Sequence, residues 1–304
     1  MIEWFYIIKI DIKFRPRVIL TGLEFDMKGR EEGLKEVAER IKLESLQNTR
    51  DLAGYTTADG RIIRPKCLIR SGALAGMSEN DKEILFGEYG VRTVIDLRTG
   101  IEADEKPDPV IPGVKNIFNP ILNEETAGFT HENEDGEGVD MLEGFLKHAK
   151  SLNGHPEIYI NHLYENLVLN EQAVKHYGTF LNLVLEAEPG AVLWHCSAGK
   201  DRAGMATAFL LTAMDVDRAN IIRDFTASNG FLQKETEGMV ALVRSRTSDP
   251  DLEKCAETLC QVHESYIQAA FKTIEERFGD MDTYMENELG FGREKRDRLK
   301  AKYC

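Results

Sequence analysis

Cysteine, proline and tryptophan are scarce in this chain of 304 residues, at five, nine and two. The five cysteines (Cys67, Cys196, Cys255, Cys260 and Cys304) are odd in number and irregularly spaced. That argues against a disulfide framework, and no paired C-x-x-C units suggest zinc. No stretch reaches 18 apolar residues, so no membrane-spanning helix is expected. The opening residues, MIEWFYIIKIDIKFRPRVIL, resemble a secretory leader only at a glance, because Glu3, Lys9, Asp11, Lys13 and Arg15 interrupt every apolar run. These absences point to a reducing cytoplasm, with export by another route left open. Basic charge is also short: 38 Lys and Arg against 52 Asp and Glu leave a net −14. Such a balance disfavours non-specific binding to nucleic acid or to an anionic membrane. It does not exclude an anionic substrate, since charges beyond about 8 Å are screened and local charge decides.

What is present is an ordinary globular composition, 42% hydrophobic and 30% charged. From Ile8 to Phe14 apolar and charged residues alternate, and with Val18 to Phe25 the start reads as a hairpin. A helix is expected over about 30–41, a short strand at Cys67–Ile69, and a helix from Ser78, where Asp81 three positions on completes a capping-box pattern. Val91 to Leu97 and Gly190 to Trp194 read as buried parallel strands, with helices around 172–187 and 203–214. Strands alternating with helices imply an α/β fold with a central, mostly parallel sheet, whose ligands sit beyond the carboxyl ends of the strands. Segment 124–143 carries eight acids and no Lys or Arg and reads as a solvated loop. Leu252, Cys255, Leu259, Val262, Tyr266, Ala269 and Ile274 suggest one apolar stripe in C-terminal helices over 251–303, serving as core or as a lid.

The chemistry concentrates in Trp194-His195-Cys196-Ser197-Ala198-Gly199-Lys200-Asp201-Arg202-Ala203-Gly204. An apolar strand enters this segment and an apolar helix leaves it. A turn of this kind aims successive main-chain N–H groups inward, at the positive end of the following helix, and so makes a nest for an anion. Gly199 supplies a positive φ where the loop curls. Arg202, at the helix start, is suited to grip two phosphoryl oxygens. The same donors surround Cys196 and favour its thiolate. A thiolate beneath a phosphate cradle supports in-line phosphoryl transfer to sulfur and hydrolysis of the resulting cysteinyl-phosphate, with no metal or cofactor required. The remaining histidines show no H-E-x-x-H pairing, and Asp215-Val216-Asp217, Asp249-Pro250-Asp251 and Asp280-Met281-Asp282 are better explained as helix caps than as metal ligands.

His195 to Gly204 resembles the signature loop of the cysteine-dependent protein tyrosine phosphatases, most closely the bacterial branch with H-C-x-A-G-K-D-R. Asn48 to Tyr55, Ile69 to Leu74 and Thr93 to Arg98 resemble further markers of that branch, and Glu275 to Leu299 resembles its C-terminal helices. The resemblance runs from about residue 42 to the end. It divides the chain into an extension over 1–41, of unassigned role, and a single phosphatase domain over 42–304. It implies Cys196 as nucleophile, Arg202 as phosphate clamp, and Ser197, Ala198, Gly199 and Lys200 as phosphate-binding residues. Lys200 is similar to a cation found in members that accept phosphoinositides, so both phosphoprotein and phosphoinositide substrates are implied. Asp201 is the first candidate for the general acid and Asp96 the second; His195 is expected to orient rather than to act as a base. Arg50 and Asp51 are expected to form an internal ion pair bracing the loop. Ala203 departs from the family's usual Thr or Ser, which implies slow hydrolysis of the phosphoenzyme. Two other readings stand beside this one: a catalytically weak module that captures phosphorylated partners, and a thiol-redox protein with Cys67 as the partner of Cys196.

Overall fold

A computed structural model describes residues 39–123, 146, 149–152 and 154–304. The expected hairpin, most of the helix expected over 30–41 and the acidic segment 124–143 lie outside these residues. The end of that helix is corrected: Glu39–Arg40 is a strand, β1, paired antiparallel with β2 (Arg50–Asp51). β3 (Leu68–Ser71) follows, then α1 (Glu79–Lys82), which continues as a π-helical turn, β4 (Val91–Asp96), α2 (Gly100–Glu105) and β5 (Lys115–Phe118). Next come α3 (Pro156–Leu169), α4 (Glu171–Glu186), β6 (Ala191–His195) and α5 (Arg202–Ala213). The chain ends in α6 (Arg218–Phe231), α7 (Gln233–Arg246), α8 (Pro250–Cys260), α9 (Glu264–Phe278), the short α10 (Met281–Thr283) and α11 (Arg293–Tyr303).

The strand order is β1-β2-β3-β6-β4-β5, with β3, β6, β4 and β5 mutually parallel. This is the expected α/β architecture. β6, the last strand in sequence, is inserted between β3 and β4, and its neighbours' ends fall level with its own: Ser71 and Asp96 both pair with His195. Three loops therefore leave the sheet side by side at one edge, where α/β sheets hold ligands.

Alternation along the strands splits the core into two faces. Leu68, Ile95, Val192 and Trp194 pack with α4, α5 and the C-terminal helices, while Ile69, Val94 and Leu193 pack with Leu74, Leu85 and Phe86 on the other side. α5 is apolar all round because nearly every residue from Ala203 to Ala213 is buried. The Trp194 indole N–H donates to Thr207 Oγ1 at 3.1 Å, tying strand to helix.

Ser78 caps α1 by accepting from the Asp81 amide, but the reciprocal half of the capping box is not made: the Asp81 carboxylate accepts from Glu44 and Ser45 instead. Asp217, Asp249 and Asp280 do cap α6, α8 and α10. The expected single stripe is corrected, because the chain breaks between α8 and α9. Leu252 and Cys255 sit in a small separate cluster, Val262 and Ile274 in the main core, and Ala269 is exposed while Ala270 takes the buried place.

α11 is docked electrostatically. Asp215, with φ +57°, receives Arg296 and Lys300 at 2.5 Å each, and Lys300 is buried. Asp215→Ala leaves Lys300 with Asp297 alone, at 3.2 Å. Loss of one partner of a buried pair is expected to cost about 3 kcal/mol, read as a lowered urea midpoint; an unchanged midpoint means Asp297 suffices.

Candidate active site

The loop from Cys196 to Asp201 closes against the end of β3. Gly199 has φ +72°, and a Cβ there would lie 2.4 Å from the Ser71 carbonyl oxygen, so no side chain fits. The loop's carbonyls are held from outside. Ala73 N–H donates to Ser197 O at 2.9 Å, Asn48 Nδ2 to Ala198 O at 3.0 Å and Arg70 Nη2 to Gly199 O at 2.7 Å. Carbonyls turned outward leave the peptide N–H groups facing the other way. Among the described residues none accepts a hydrogen bond from the main-chain N–H groups of 197–201. Cys196 is buried at the base of this curl, and α5 begins at Arg202 with its positive end toward it.

Each charged group around the loop has a counter-ion. Arg202 Nη1 and Nη2 meet Glu102 Oε2 and Oε1 at 2.5 and 2.7 Å. Glu102 also accepts from Ser197 Oγ, and from the Thr99 amide at 2.9 Å as half of a capping box that starts α2. Although burial acts against its charge, the Arg202 hydrogen bonds and charge hold the Glu102 carboxyl down at about 2, from an ordinary 4.5. Glu102 takes the terminal edge of the guanidinium. Arg202 Nε has no acceptor among the described residues, so the Nε edge remains for a second anion. Lys200 Nζ lies 2.6 Å from Asp201 Oδ2, and Tyr164 donates to Asp201 Oδ1 at 2.8 Å. Asp201 occupies the N-cap position of α5 without capping it. Its carboxylate is instead held by Tyr164 and Lys200, and the Tyr164 ring lies 5.5 Å from that of Tyr266 of α9, tilted by 40°.

His195 Nε2 meets Asp108 Oδ2 at 2.7 Å, and its Nδ1 lies 3.2 Å from the Cys196 carbonyl. Arg98 bridges Asp96 and Asp108 at 2.7 and 2.9 Å. Asp96, Asp108 and His195 are the one group among the described residues with metal-ligand spacing. The Arg98 guanidinium already supplies the cation there, so the residues do not fit a metal.

The loop residues named from sequence (His195, Cys196, Ser197, Ala198, Gly199, Lys200, Asp201 and Arg202) converge. Asp96 lies beside them but is tied to Arg98. The expected Arg50–Asp51 pair is corrected. Arg50 Nε binds Asp224 Oδ1 at 3.0 Å, whereas Asp51 accepts from the amides of Ala53 and Lys66, because neighbours in a strand point to opposite faces. The redox partner is corrected too. Leu68 pairs with Val192, so Cys67 lies level with Ala191, about 16 Å along the strand from Cys196. Glu102, Asp108, Tyr164 and Asp224 were not singled out from sequence. Only Glu102 carried a local signal, the Thr99-x-x-Glu102 capping pattern after a strand.

A buried thiol, an arginine with a free edge and a carboxylate beside a lysine therefore meet at one loop. Residues 41–304 match the family described as tyrosine phosphatases, and this chain belongs to that family. It is a phosphatase. It is 26% identical over 252 residues to a protein of Cupriavidus necator assigned as a tyrosine-protein phosphatase, covering 82% of this chain and 84% of that one. It is 25% identical over 261 residues to the triple specificity protein phosphatase PtpB of Mycobacterium tuberculosis, covering 79% and 90%. A tyrosine-protein phosphatase of Nostoc commune is 26% identical over 165 residues, covering 54% and 49%. Among the described residues no helix is long and apolar enough to cross a membrane.

Glu102→Gln is expected to let Arg202 swing and to lower kcat/KM for an aryl phosphate about tenfold or more; a rise would make Glu102 a competitor of phosphate. A depressed carboxyl contributes stability above its ordinary value and loses it as pH falls through the folded one. Urea titrations are therefore expected to separate wild type from Glu102→Gln most at pH 6, with the gap shrinking below about 4.5 and closing toward 2.

Proposed function

We propose that the protein hydrolyses phosphotyrosine, with phosphoserine, phosphothreonine and phosphoinositides as further substrates, through a cysteinyl-phosphate intermediate. The observation that carries this reading is the buried Cys196 set under unbonded loop amides, next to an arginine with a free edge. The phosphoryl group docks on those amides and on Arg202 Nε, and the Cys196 thiolate attacks phosphorus opposite the leaving oxygen. Asp201 gives the leaving oxygen its proton, fixed in direction by Tyr164. Lys200, now on Asp201, is a cation that can turn to the incoming phosphoryl group. Water then attacks the phosphorus and gives a proton to the Asp201 carboxylate, the sulfur leaves as thiolate, and inorganic phosphate departs.

Breadth of substrate is supported by Lys200 and by the printed name of the Mycobacterium tuberculosis relative, a triple specificity phosphatase. A second reading, a module that captures phosphorylated partners, is favoured by one observation. Ala203, buried directly after Arg202, offers no hydroxyl to stabilise the leaving thiolate.

Phosphate release from phosphotyrosine, phosphothreonine and phosphoinositide substrates, with chelator present, is expected in wild type and absent in Cys196→Ser. Tight binding of phosphopeptide by a wild type that releases none supports the capture module. Asp201→Asn is expected to slow substrates with poor leaving groups by about 10²-fold or more and activated aryl phosphates far less; equal losses remove Asp201 as the acid. A burst followed by slow turnover is expected in wild type, with Ala203→Thr abolishing the burst; linear fast turnover removes the Ala203 argument.

A further inference from the structure

Beneath the loop lies a cluster that the mechanism above does not use. Arg50 of β2, Arg70 of β3 and Asp224 of α6 are all fully or almost fully buried. Asp224 binds both arginines, Arg50 through Nε at 3.0 Å and Arg70 through Nη1 at 2.5 Å. Two guanidinium ions share one carboxylate, so the cluster carries one unbalanced positive charge. Arg70 is the member that reaches the site. Its Nη2 donates to the Gly199 carbonyl, and a Cβ on Gly204 in the first turn of α5 would stand 3.3 Å from that same nitrogen. Gly204 leaves room for Arg70 under the loop.

Arg70 is a costly way to hold one carbonyl. A neutral donor would serve, whereas a buried guanidinium loses its hydration, and here its Nε has no partner among the described residues. Burial and the neighbouring Arg50 charge push the Arg70 guanidinium down to about 10, while Asp224 and, further off, the Cys196 anion act the other way. Coulombic interaction is mutual, so what the Cys196 anion does for Arg70 charge, Arg70 does for the thiolate.

We propose that Arg70, held by Asp224 beneath the phosphate loop, supplies a buried positive charge that favours the Cys196 thiolate. The inference rests on the reading of Cys196 as nucleophile. Tyr177 of α4 and Arg202 also interact with the Cys196 charge; His195, Lys200 and Asp201 share its loop, Glu102 of α2 holds Arg202, and Asp224, Arg50 and Tyr55 lie around Arg70. Changing Arg70 alone removes none of these charges.

The test is the pH dependence of Cys196 alkylation by iodoacetamide in the full chain, followed on the Cys196 peptide by mass spectrometry. Arg70→Met leaves Arg50 and Asp224 as a balanced pair and removes one charge. The alkylation midpoint is expected to rise by about one pH unit, so that alkylation below the midpoint slows about tenfold. Arg70→Lys is expected to return the midpoint most of the way, because it restores the charge without the fork. A wild-type midpoint in Arg70→Met overturns the inference. So do equal shifts in the Met and Lys variants, which assign the effect to the lost Gly199 tether. Should Arg70→Met not fold, Arg70→Gln, a neutral donor, reads the same quantity. Alkylation reports the thiolate whether or not phosphate is released, so a shifted midpoint in a chain without phosphatase activity keeps this inference and removes the phosphatase reading.

Discussion

The Cβ that Gly199 lacks would lie 2.4 Å from the Ser71 carbonyl, and the rest of the candidate site is arranged around that close approach. With the loop seated on the end of β3, its three carbonyls reach partners outside the curl, on Ala73, Asn48 and Arg70. The N–H groups are thereby committed to the inside. A peptide unit cannot turn its oxygen outward without turning its N–H the other way, so tethering carbonyls is how this fold shapes a nest for an anion. The tethers come from residues 48, 70 and 73, distant in sequence, which is why β6 must lie beside β3 in the sheet.

The second organising feature is electrostatic. A chain with a net charge of −14 gathers Arg202, Lys200, Arg98 and Arg70 around one loop, and each already has a carboxylate: Glu102, Asp201, Asp96 with Asp108, and Asp224. Buried pairs of this kind add little net stability. What they fix is direction. The Glu102 grip on the terminal edge of Arg202 presents the Nε edge, and the Tyr164 hydrogen bond holds Asp201 away from the helix cap it would otherwise make. Acidic composition and anion chemistry are compatible because paired cations remain available to an incoming phosphoryl group over a few ångströms, where screening is weak.

Most of the sheet was legible because buried parallel strands carry apolar, β-branched runs, as in Val91 to Asp96 and Ala191 to His195. The helices around them were legible from spacing and caps. Residues that meet across the fold were not. Arg50 was assigned to Asp51, its neighbour, when strand geometry sends the two side chains to opposite faces and gives Arg50 to Asp224 in α6. The apolar residues over 252–274 were read as one stripe, when the helix breaks at 261–263 and the residues divide between two clusters, Leu252 and Cys255 in one and Leu259, Val262 and Ile274 in the other. Periodicity reports a face but not what the face meets.

The sequence by itself determined the chemistry at one loop. A Cys and an Arg six residues apart, with Gly between them and a strand and a helix on either side, bring a thiol, a turn and a cation together, because all three lie within one short segment. The tertiary structure decided the surroundings: Glu102 on Arg202, Tyr164 on Asp201, Asp108 on His195, and Arg70 with Asp224 beneath the loop. Those contacts join residues 37 to 154 positions apart. No local pattern encodes them, because each depends on strand order and helix packing that only the folded chain brings together.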